Sequence, residues 1–255
     1  MQKYLIFIDV DGTLVPTGTF NMDKRLPEVF TQAEKDGHMI IIVTGRSLRS
    51  VYGIDGIQSA KYISGLMGCV TVEAKTKEIY IKPTPMDRQT VIDFINDINA
   101  QKLMWTYKDD YSQKTYFNDP VLIKKYTTVV VSYEEAMQDI NDGKVCQLLV
   151  DGEIPQSIID KYCDFDYFKM PTGYYDITIK GISKANIIKT FASKYPEYTT
   201  VAIGDSNNDI PMLKECNIKI AMGNANDNVK SLANYVTKSV NDGGVYDALK
   251  DFLNI

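Results

Sequence analysis

The chain is poor in the residues on which several kinds of chemistry depend. Among its 255 residues there is one histidine, His38. That excludes a zinc site built on two histidines, such as His-Glu-x-x-His on a helix. A Ser–His–Asp triad would have to use His38, which opens the apolar stretch 38–43; a core or strand-edge position is the simpler expectation. The four cysteines, Cys69, Cys146, Cys163 and Cys216, are scattered and form no Cys-x-x-Cys, so free buried thiols in a reducing compartment are expected. No apolar run approaches the roughly 18 residues of a membrane span. The first apolar stretch, Tyr4–Ile8, stops at Asp9, too short for the core of a secretion signal. The reading is a cytoplasmic protein without a membrane partner. A basic excess is also missing: 28 Lys and Arg stand against 33 Asp and Glu, a net charge of −5. Nucleic acid is therefore not an expected partner. A small anionic substrate, held by local charge, remains compatible with that balance.

What is present is an ordinary globular composition, 44% hydrophobic and 24% charged. A chain of this length buries roughly three-quarters of its unfolded surface and needs no staples. Residues 3–8 form a short continuous apolar run, the mark of a strand buried on both faces of a parallel sheet. Residues 27–36 read as a helix, with Pro27 in its first turn, Val29, Phe30 and Ala33 at helical spacing, and Gly37 as the stop. Met39–Val43 is a second buried strand, Ser47 starts a short helix, and 61–63 is a third strand. This βαβαβ order predicts a doubly wound α/β core.

The pattern then changes. Val70–Glu73 and 78–82 alternate around Lys75-Thr76-Lys77 as a hairpin, and Pro83 and Pro85 punctuate the chain. Between 83 and 182, a helix over 86–100, a capped helix opening at Ser132 and strands at 103–107, 114–117, 144–150, 164–169 and Tyr174–Ile179 predict an α+β unit with an open antiparallel sheet. Alternating βα order returns after Gly181: Ser183 caps a helix to about 195, 199–203 is a strand, 210–213 a helix, Ile218–Ala221 a strand, 229–233 a helix, and a last helix runs from Gly243-Gly244 to Leu253. One core assembled from 1–82 and 183–255, with an insert at 83–182, is the simplest division.

In such sheets ligands bind beyond the carboxyl ends of the strands, and polar residues gather there. Asp9 and Asp11 follow the first strand, and alternation sends both to one side. Two adjacent carboxylates are costly unless a cation or proton sits between them. Gly12 permits a sharp turn that brings backbone N–H groups to an anion. A polar turn, with Asp closing it, is the alternative; the remaining ligands of a calcium loop are missing. Asp205 and Asp209 lie four apart at the start of a helix, on one face. With Asp9 and Asp11 they make an all-oxygen set, which implies a hard cation, and Mg²⁺ before Ca²⁺ if a phosphate shares the shell. The alternative there is a helix cap with acids complementing the dipole. Thr44 ends the second strand, where threonine is commonly a cap. Lys184 stands in a helix's first turn, slightly unfavourable against the dipole, which sets it apart from an ordinary solvated lysine. Lys180 is its rival and is expected to be exposed.

Taken together these segments resemble the haloacid dehalogenase superfamily of phosphohydrolases, and most closely its Cof-type branch of capped sugar-phosphate phosphatases. The resemblance rests on Asp-Val-Asp-Gly-Thr at 9–13, Thr44-Gly45-Arg46, Gly181-Ile182-Ser183-Lys184 and Gly204-Asp205-Ser206-Asn207-Asn208-Asp209, in that order. Ala221-Met222-Gly223-Asn224-Ala225 and Asp242-Gly243-Gly244-Val245 add to it. The insert matches only in size and position. One departure is Ser64-Gly65-Leu66, where the family commonly has Asn-Gly-Ala.

The resemblance implies a Mg²⁺-dependent phosphatase for small phosphorylated metabolites, working as a monomer or weak homodimer. Asp9 would be the nucleophile that forms an aspartyl-phosphate. Asp11 would be the acid and then the base, with a pKa raised by its charged neighbour. Mg²⁺ would be held by Asp9, the backbone carbonyl of Asp11, Asp205 and Asp209, the last directly or through water. Gly12, Thr44, Gly45 and Lys184 would hold the phosphoryl group, Asn208 would orient Lys184 or an acid, and Arg46 would reach the leaving group or the insert. A phosphomutase, a receiver-like domain and a non-catalytic binder are the competing readings.

Overall fold

The computed structural model describes residues 2–109, 111, 113–115, 129–170, 173–252 and 254. Two compact units emerge. The first comprises Met1–Arg46, Ser50–Lys82 and Ser183–Ile255; the second comprises Pro83–Ile182 with Ser47–Arg49.

The first unit is built on strands β1 (Tyr4–Ile8), β2 (Met39–Val43), β3 (Tyr62–Gly65), β4 (Val70–Glu73) and β5 (Ile79–Ile81), joined later by three strands from the other end of the chain. Helix α1 (Leu26–Lys35) links β1 to β2 and buries Leu26, Val29, Phe30 and Ala33, the stripe expected from its spacing. Gly37, at φ +85°, lets the chain leave the helix and enter β2. The second unit supplies β6 (Met104–Lys108), β7 (Gln113–Thr115), β8 (Val129–Val130), β9 (Gln147–Asp151), β10 (Phe165–Lys169) and β11 (Tyr174–Ile179). The chain then returns through a helix at Lys184–Lys194 to β12 (Thr199–Gly204), β13 (Ile218–Ala221) and β14 (Tyr235–Val236).

In the first unit the order across the sheet is β14-β13-β12-β1-β2-β3-β4-β5. Pairing is parallel from β14 to β3, and antiparallel for β3–β4 and β4–β5. Strands added after β1 move outward on one side and strands after β12 on the other, so the winding reverses between β1 and β12. That reversal confirms the doubly wound α/β reading. β1 is central, which explains why Leu5, Ile6, Phe7 and Ile8 are all buried in an unbroken apolar run.

In the second unit the order is β10-β11-β9-β6-β7-β8. The pairs are antiparallel, as the expected open antiparallel sheet requires, except β7–β8 at one edge, which run parallel. One face packs on a helix at Arg88–Ala100, whose cap residue Asp87 accepts from the Thr90 amide at 2.9 Å. Phe94 of that helix meets Tyr162 and Phe165 edge-on, with centroids 5.1 and 5.5 Å away. A short helix at Gln156–Lys161 and strand β14 are not apparent from sequence periodicity, because each is too short to show a period. Residues 116–117 of the expected strand, and Leu253 at the expected end of the last helix, lie outside the described residues.

His38 is buried, stacks on Tyr4 with centroids 5.3 Å apart, and accepts from the Tyr4 amide through Nδ1 at 3.2 Å. It is the strand-edge histidine expected. Cys69, Cys146 and Cys216 are buried thiols, but Cys163 is exposed, against expectation. No helix among the described residues is long and apolar enough to cross a membrane.

Burial holds the His38 imidazole below its ordinary value of 6.5. The unfolded chain therefore takes up this proton before the folded one does, and the site's contribution to stability falls as pH drops below that value. Thermal midpoints at pH 7.5 and 5.5 test this. His38→Gln is expected to lose less stability than the natural chain over that interval; equal losses would show that His38 does not titrate against the fold.

Candidate active site

Parallel pairing puts the carboxyl ends of β1, β2 and β12 at one edge of the sheet, and the expected residues follow those ends directly. Asp9 comes after β1, Thr44 after β2, and Asp205 after β12. Asp9 stays in register through a bond from its amide to the Ile203 carbonyl at 3.1 Å.

After Asp9 the chain makes a tight turn. The amides of Thr13, Leu14 and Val15 all point to the Val10 carbonyl, and the Gly12 amide bonds the Val15 carbonyl at 2.8 Å. Gly12 has φ +82°, and a Cβ there would lie 2.3 Å from Asp205 Oδ2. Only glycine satisfies both the backbone angle and the close approach. Gly204 is tight for a different reason, since a Cβ on it would meet the Asp209 side chain at 2.7 Å. Two glycines thus let carboxylates from distant parts of the chain converge.

One oxygen from each of Asp9, Asp205 and Asp209 lies within 4.8 Å of the others. Lys184, the first residue of its helix and 1% exposed, reaches into this group. Its Nζ bonds Asp9 Oδ1 and also Asp209 Oδ1, the latter at 2.7 Å. The other oxygen of Asp209 accepts from the amides of Asp205 and Ser206 at 3.0 and 3.1 Å. Ser206 and Asp209 form a reciprocal cap on a short turn at Asn207–Asp209. Ser183 occupies the cap position before Lys184, but its hydroxyl makes no capping bond.

The buried Asp9 and Asp209 share one ammonium and the half-buried Asp205 lies beside them, so the group carries two uncompensated negative charges when all three acids are ionised. The electrostatics follow. Burial and then the Asp209 charge push Asp9 well above the ordinary carboxylate range, although Lys184 opposes this. The same two causes push Asp205 up to about 7. For Lys184, burial works to lower its value, but Asp209 and Asp9 prevail and hold it firmly protonated. A divalent cation would balance the surplus, and an all-carboxylate donor set suits a hard ion. Asp209 is the most firmly held of the three, one oxygen accepting from Lys184 and the other from the Asp205 and Ser206 amides.

Asp11 stands apart from that cluster. Arg46 grips it with two bonds, Nε to Oδ2 at 2.8 Å and a terminal nitrogen to Oδ1 at 2.6 Å. The Gly18 amide adds a bond at 3.0 Å. Burial works to raise Asp11, but Arg46 and Gly18 outweigh it and the value is lowered. This reverses the expectation of a raised value: the partner is a guanidinium in bidentate contact, not the neighbouring carboxylate. Arg46 also donates to the Thr19 carbonyl at 2.9 Å and lies 5.1 Å from the Phe20 ring centroid, so it ties Asp11 to the 16–20 loop.

Thr44 is buried, and its hydroxyl accepts from the Arg46 amide at 3.1 Å across the turn containing Gly45. Asn208 is turned elsewhere: its Oδ1 accepts from the Ser206 hydroxyl at 2.6 Å. Lys180 is exposed and donates to the Cys163 carbonyl at 3.1 Å. Two further side chains, both within the motifs quoted above but given no role at the acid cluster, join the site. Thr13 donates to Asp205 Oδ1 at 3.3 Å. Asn224 donates to the Gly12 carbonyl at 2.8 Å and accepts from the Val240 amide at 2.9 Å. The motif at 221–225 contains Asn224, but nothing local shows that it reaches Gly12, 212 residues away.

A parallel α/β sheet carrying an acid cluster and a buried lysine at its carboxyl edge is the architecture of a phosphohydrolase core. The chain belongs to the haloacid dehalogenase-like hydrolases, whose family model matches residues 6–249. It is an enzyme of the phosphatase type. Among its relatives, 5-amino-6-(5-phospho-D-ribitylamino)uracil phosphatase YitU of Bacillus subtilis strain 168 is 24% identical, over 100% of this chain and 99% of that protein. Phosphoglycolate phosphatase of Nitrosopumilus maritimus strain SCM1 is also 24% identical, over 98% of this chain and 96% of that one. The phosphatase BT1666 of Bacteroides thetaiotaomicron has a solved structure that superposes with a TM-score of 0.85 at 26% identity, covering 100% of this chain and 96% of that one. The fold is also that of the sugar phosphatase BT4131, with a TM-score of 0.80 at 23% identity and full coverage of both chains.

Gly12→Ala is expected to damage the site more than the fold. The added methyl must displace the Asp205 carboxylate, while the strained φ costs only about 1 kcal/mol. Turnover should fall by about two orders of magnitude with a thermal midpoint only a few degrees lower. Near-normal turnover in Gly12→Ala would show that the position of Asp205 is not critical.

Proposed function

We propose that this chain is a Mg²⁺-dependent phosphatase of small phosphorylated metabolites, sugar phosphates foremost, that works through a phosphorylated Asp9. The observation that carries the reading is the buried Lys184 bonded to Asp9 and Asp209 beside Asp205. A lysine held charged against a carboxylate surplus fits a site that binds a cation and a phosphate together.

In this reading an Asp9 oxygen attacks phosphorus, the bond from phosphorus to the leaving oxygen breaks, and that oxygen takes a proton from Asp11. Water then attacks the phosphoryl group, Asp11 receives the proton, and phosphate leaves with the Asp9 carboxylate restored. Lys184, Thr44 and the backbone at Gly45 hold the phosphoryl oxygens, while Gly12 shapes the turn beside them with its own amide bonded to the Val15 carbonyl. Mg²⁺ would be held by Asp9, Asp205 and the Asp11 carbonyl, with Asp209 behind them, and supplies positive charge to the transferring group. The grip of Arg46 keeps Asp11 ionised, which leaves it without the proton its acid role needs and weakens it as a base, so both roles require that grip to loosen. Asn208 serves the site through Ser206, which also touches Asp209. Residues 1–82 and 183–255 carry the chemistry, and the insert at 83–182 acts as a cap that grips the organic part of the substrate. A cytoplasmic setting and a monomer or weak homodimer complete the reading, supported by scattered thiols with no paired-cysteine motif.

Acid-quench labelling with a ³²P-labelled aryl phosphate tests the chemistry. The natural chain should turn over only with Mg²⁺ present, and Asp9→Asn should neither label nor turn over. Asp11→Asn should accumulate label, because a good leaving group needs little protonation while the second step lacks its base. Turnover by Asp9→Asn above about a tenth of normal would rule out Asp9 as the nucleophile, a loss that must be near total for a covalent route. Full activity in excess chelator would rule out the cation.

A further inference from the structure

Neither the motif at 221–225 nor that at 242–245 contributes a charged group to the acid cluster, yet their backbones lock together beside it. The Met222 amide bonds the Gly204 carbonyl at 3.0 Å, and the Asn226 amide bonds the Asp205 carbonyl at 3.2 Å. The turn at 222–226 is thereby fastened to the backbone that carries Asp205. Its other side is fastened to the C-terminal segment: the Gly223 amide bonds the Lys238 carbonyl at 3.0 Å, and the Gly244 amide bonds the Ser239 carbonyl at 3.0 Å. Neither approach tolerates a side chain. A Cβ on Gly223 would lie 2.7 Å from the Ser239 nitrogen, and one on Gly244 would overlap the Lys238 carbonyl oxygen. The buried Thr237 hydroxyl donates to the Gly244 carbonyl at 2.7 Å and closes the join.

Asn224 sits on this doubly fastened turn, and both ends of its amide are used. The Val240 amide can only donate, so the atom facing it at 2.9 Å is Oδ1, and the orientation of the side chain follows. Nδ2 is therefore turned to the Gly12 carbonyl at 2.8 Å, with Asp205 Oδ2 3.5 Å away. Steadying the short turn at Val240–Asp242 accounts for Oδ1 alone. It leaves the donor aimed at Gly12 unexplained. Packing does not explain the residue either, because Asn224 is exposed.

We propose that Asn224 is a positioning residue: it pins the turn at Gly12 against Asp205, and so sets the spacing of the Asp11 carbonyl and the Asp205 carboxylate as a pair of cation ligands. The inference rests on the Mg²⁺-dependent reading above and deepens it. Clearance at this point is minimal, since a Cβ on Gly12 would touch the Asp205 carboxylate. A small drift of the turn therefore changes the ligand spacing by an amount that a rigid octahedral ion feels. One side chain spans the gap from a base fixed to the Asp205 backbone on one side and to Val240 on the other. The phosphate contacts come from different segments. Lys184 is held by Asp9 and Asp209, and Thr44 by the Arg46 amide. Loss of Asn224 should thus weaken the grip on the cation more than the grip on phosphate. Groups that orient a metal's ligands commonly cost about ten- to a hundredfold in affinity or activity when removed.

The test compares the full natural chain with Asn224→Ala and Asn224→Asp. Calorimetric titration with Mg²⁺ alone should show affinity about tenfold weaker in Asn224→Ala. With p-nitrophenyl phosphate as substrate, kcat of Asn224→Ala should fall about tenfold while KM moves less than about threefold, because the phosphate contacts remain. Its thermal midpoint should stay within about two degrees of the natural value, as for an exposed residue. Hydrogen exchange of the amides at 12–15 should quicken about tenfold in Asn224→Ala, with the amides of β1 unchanged. Asn224→Asp separates pinning from mere steadying of the turn at Val240–Asp242. A carboxylate still accepts from Val240 but offers no proton to the Gly12 carbonyl, so its amides at 12–15 should exchange as fast as those of Asn224→Ala. Natural exchange rates in Asn224→Asp overturn the proposal, as does Mg²⁺ affinity in folded Asn224→Ala within about twofold of the natural chain's. Should Asn224→Asp fail to fold, Asn224→Ala decides alone. If the natural chain binds no Mg²⁺, it is the cation reading that has failed. Exchange at 12–15 then decides whether Asn224 pins the turn: faster in Asn224→Ala supports it, and an unchanged rate overturns it.

Discussion

One ammonium group organises the core of this protein. Lys184 is buried and bonded to two carboxylates, with a third close by, and its stem is anchored at the first turn of a helix. Burying these charges is costly, and it is tolerable only when each has partners. The lysine leaves the carboxylates short of balance, and this shortfall is the useful property. It keeps Asp9 and Asp205 harder to ionise than free carboxylates and readies the group for a cation. The same lysine presents positive charge where a phosphoryl group would gain most from it. Loss of Lys184 would leave buried negative charge uncompensated, a defect on the order of 3–5 kcal/mol for buried pairs in general.

The sheet makes that concentration of charge possible. Strands β1 and β12 lie side by side in parallel, so residues nearly two hundred positions apart leave the sheet together. Two glycines then remove the steric bulk that would otherwise keep the carboxylates apart. The apolar strands behind them provide a rigid floor, with Phe7, Ile41 and Ile203 fully buried. Precision at the site is thus inherited from strands whose own sequences carry no functional signal. Arg46 performs a parallel task for Asp11. Its bidentate grip fixes the carboxylate, ties down the 16–20 loop and sets the charge state, all through one planar group.

The insert follows a different logic. Its apolar face is conventional, closed by Phe94, Tyr107, Tyr162 and Phe165. A second ion network centres on the buried Asp139, which accepts from Tyr107 at 2.8 Å and from the half-exposed Lys144 at 3.0 Å, and also contacts Lys114. Asp139 is thus fully partnered, as a structural ion network requires. On the other face the Gln147 amide has no hydrogen-bond partner among the described residues.

Much of this was legible in the residues alone. Unbroken apolar runs announced β1 and β2, helical spacing announced α1, and four polar segments at strand or helix ends announced the edge of the sheet where chemistry occurs. Those signals are local, and backbone sterics and side-chain periodicity translate them directly into elements. The family resemblance, too, was carried by short contiguous motifs. Other features have no local signature. Asn224 reaches Gly12 across 212 positions, and Arg46 captures Asp11 across 35, so neither contact can be read from spacing. The charge state of Asp11 followed the wrong neighbour until tertiary contacts showed the guanidinium. Likewise Gln147 is an unremarkable strand residue until burial shows that its amide is unpartnered. Sequence determined which elements form and which chemical groups they carry; only the tertiary structure decided which groups meet, because burial and long-range contact set the energies of charges and hydrogen bonds, and neither is encoded within a few residues of the group it controls.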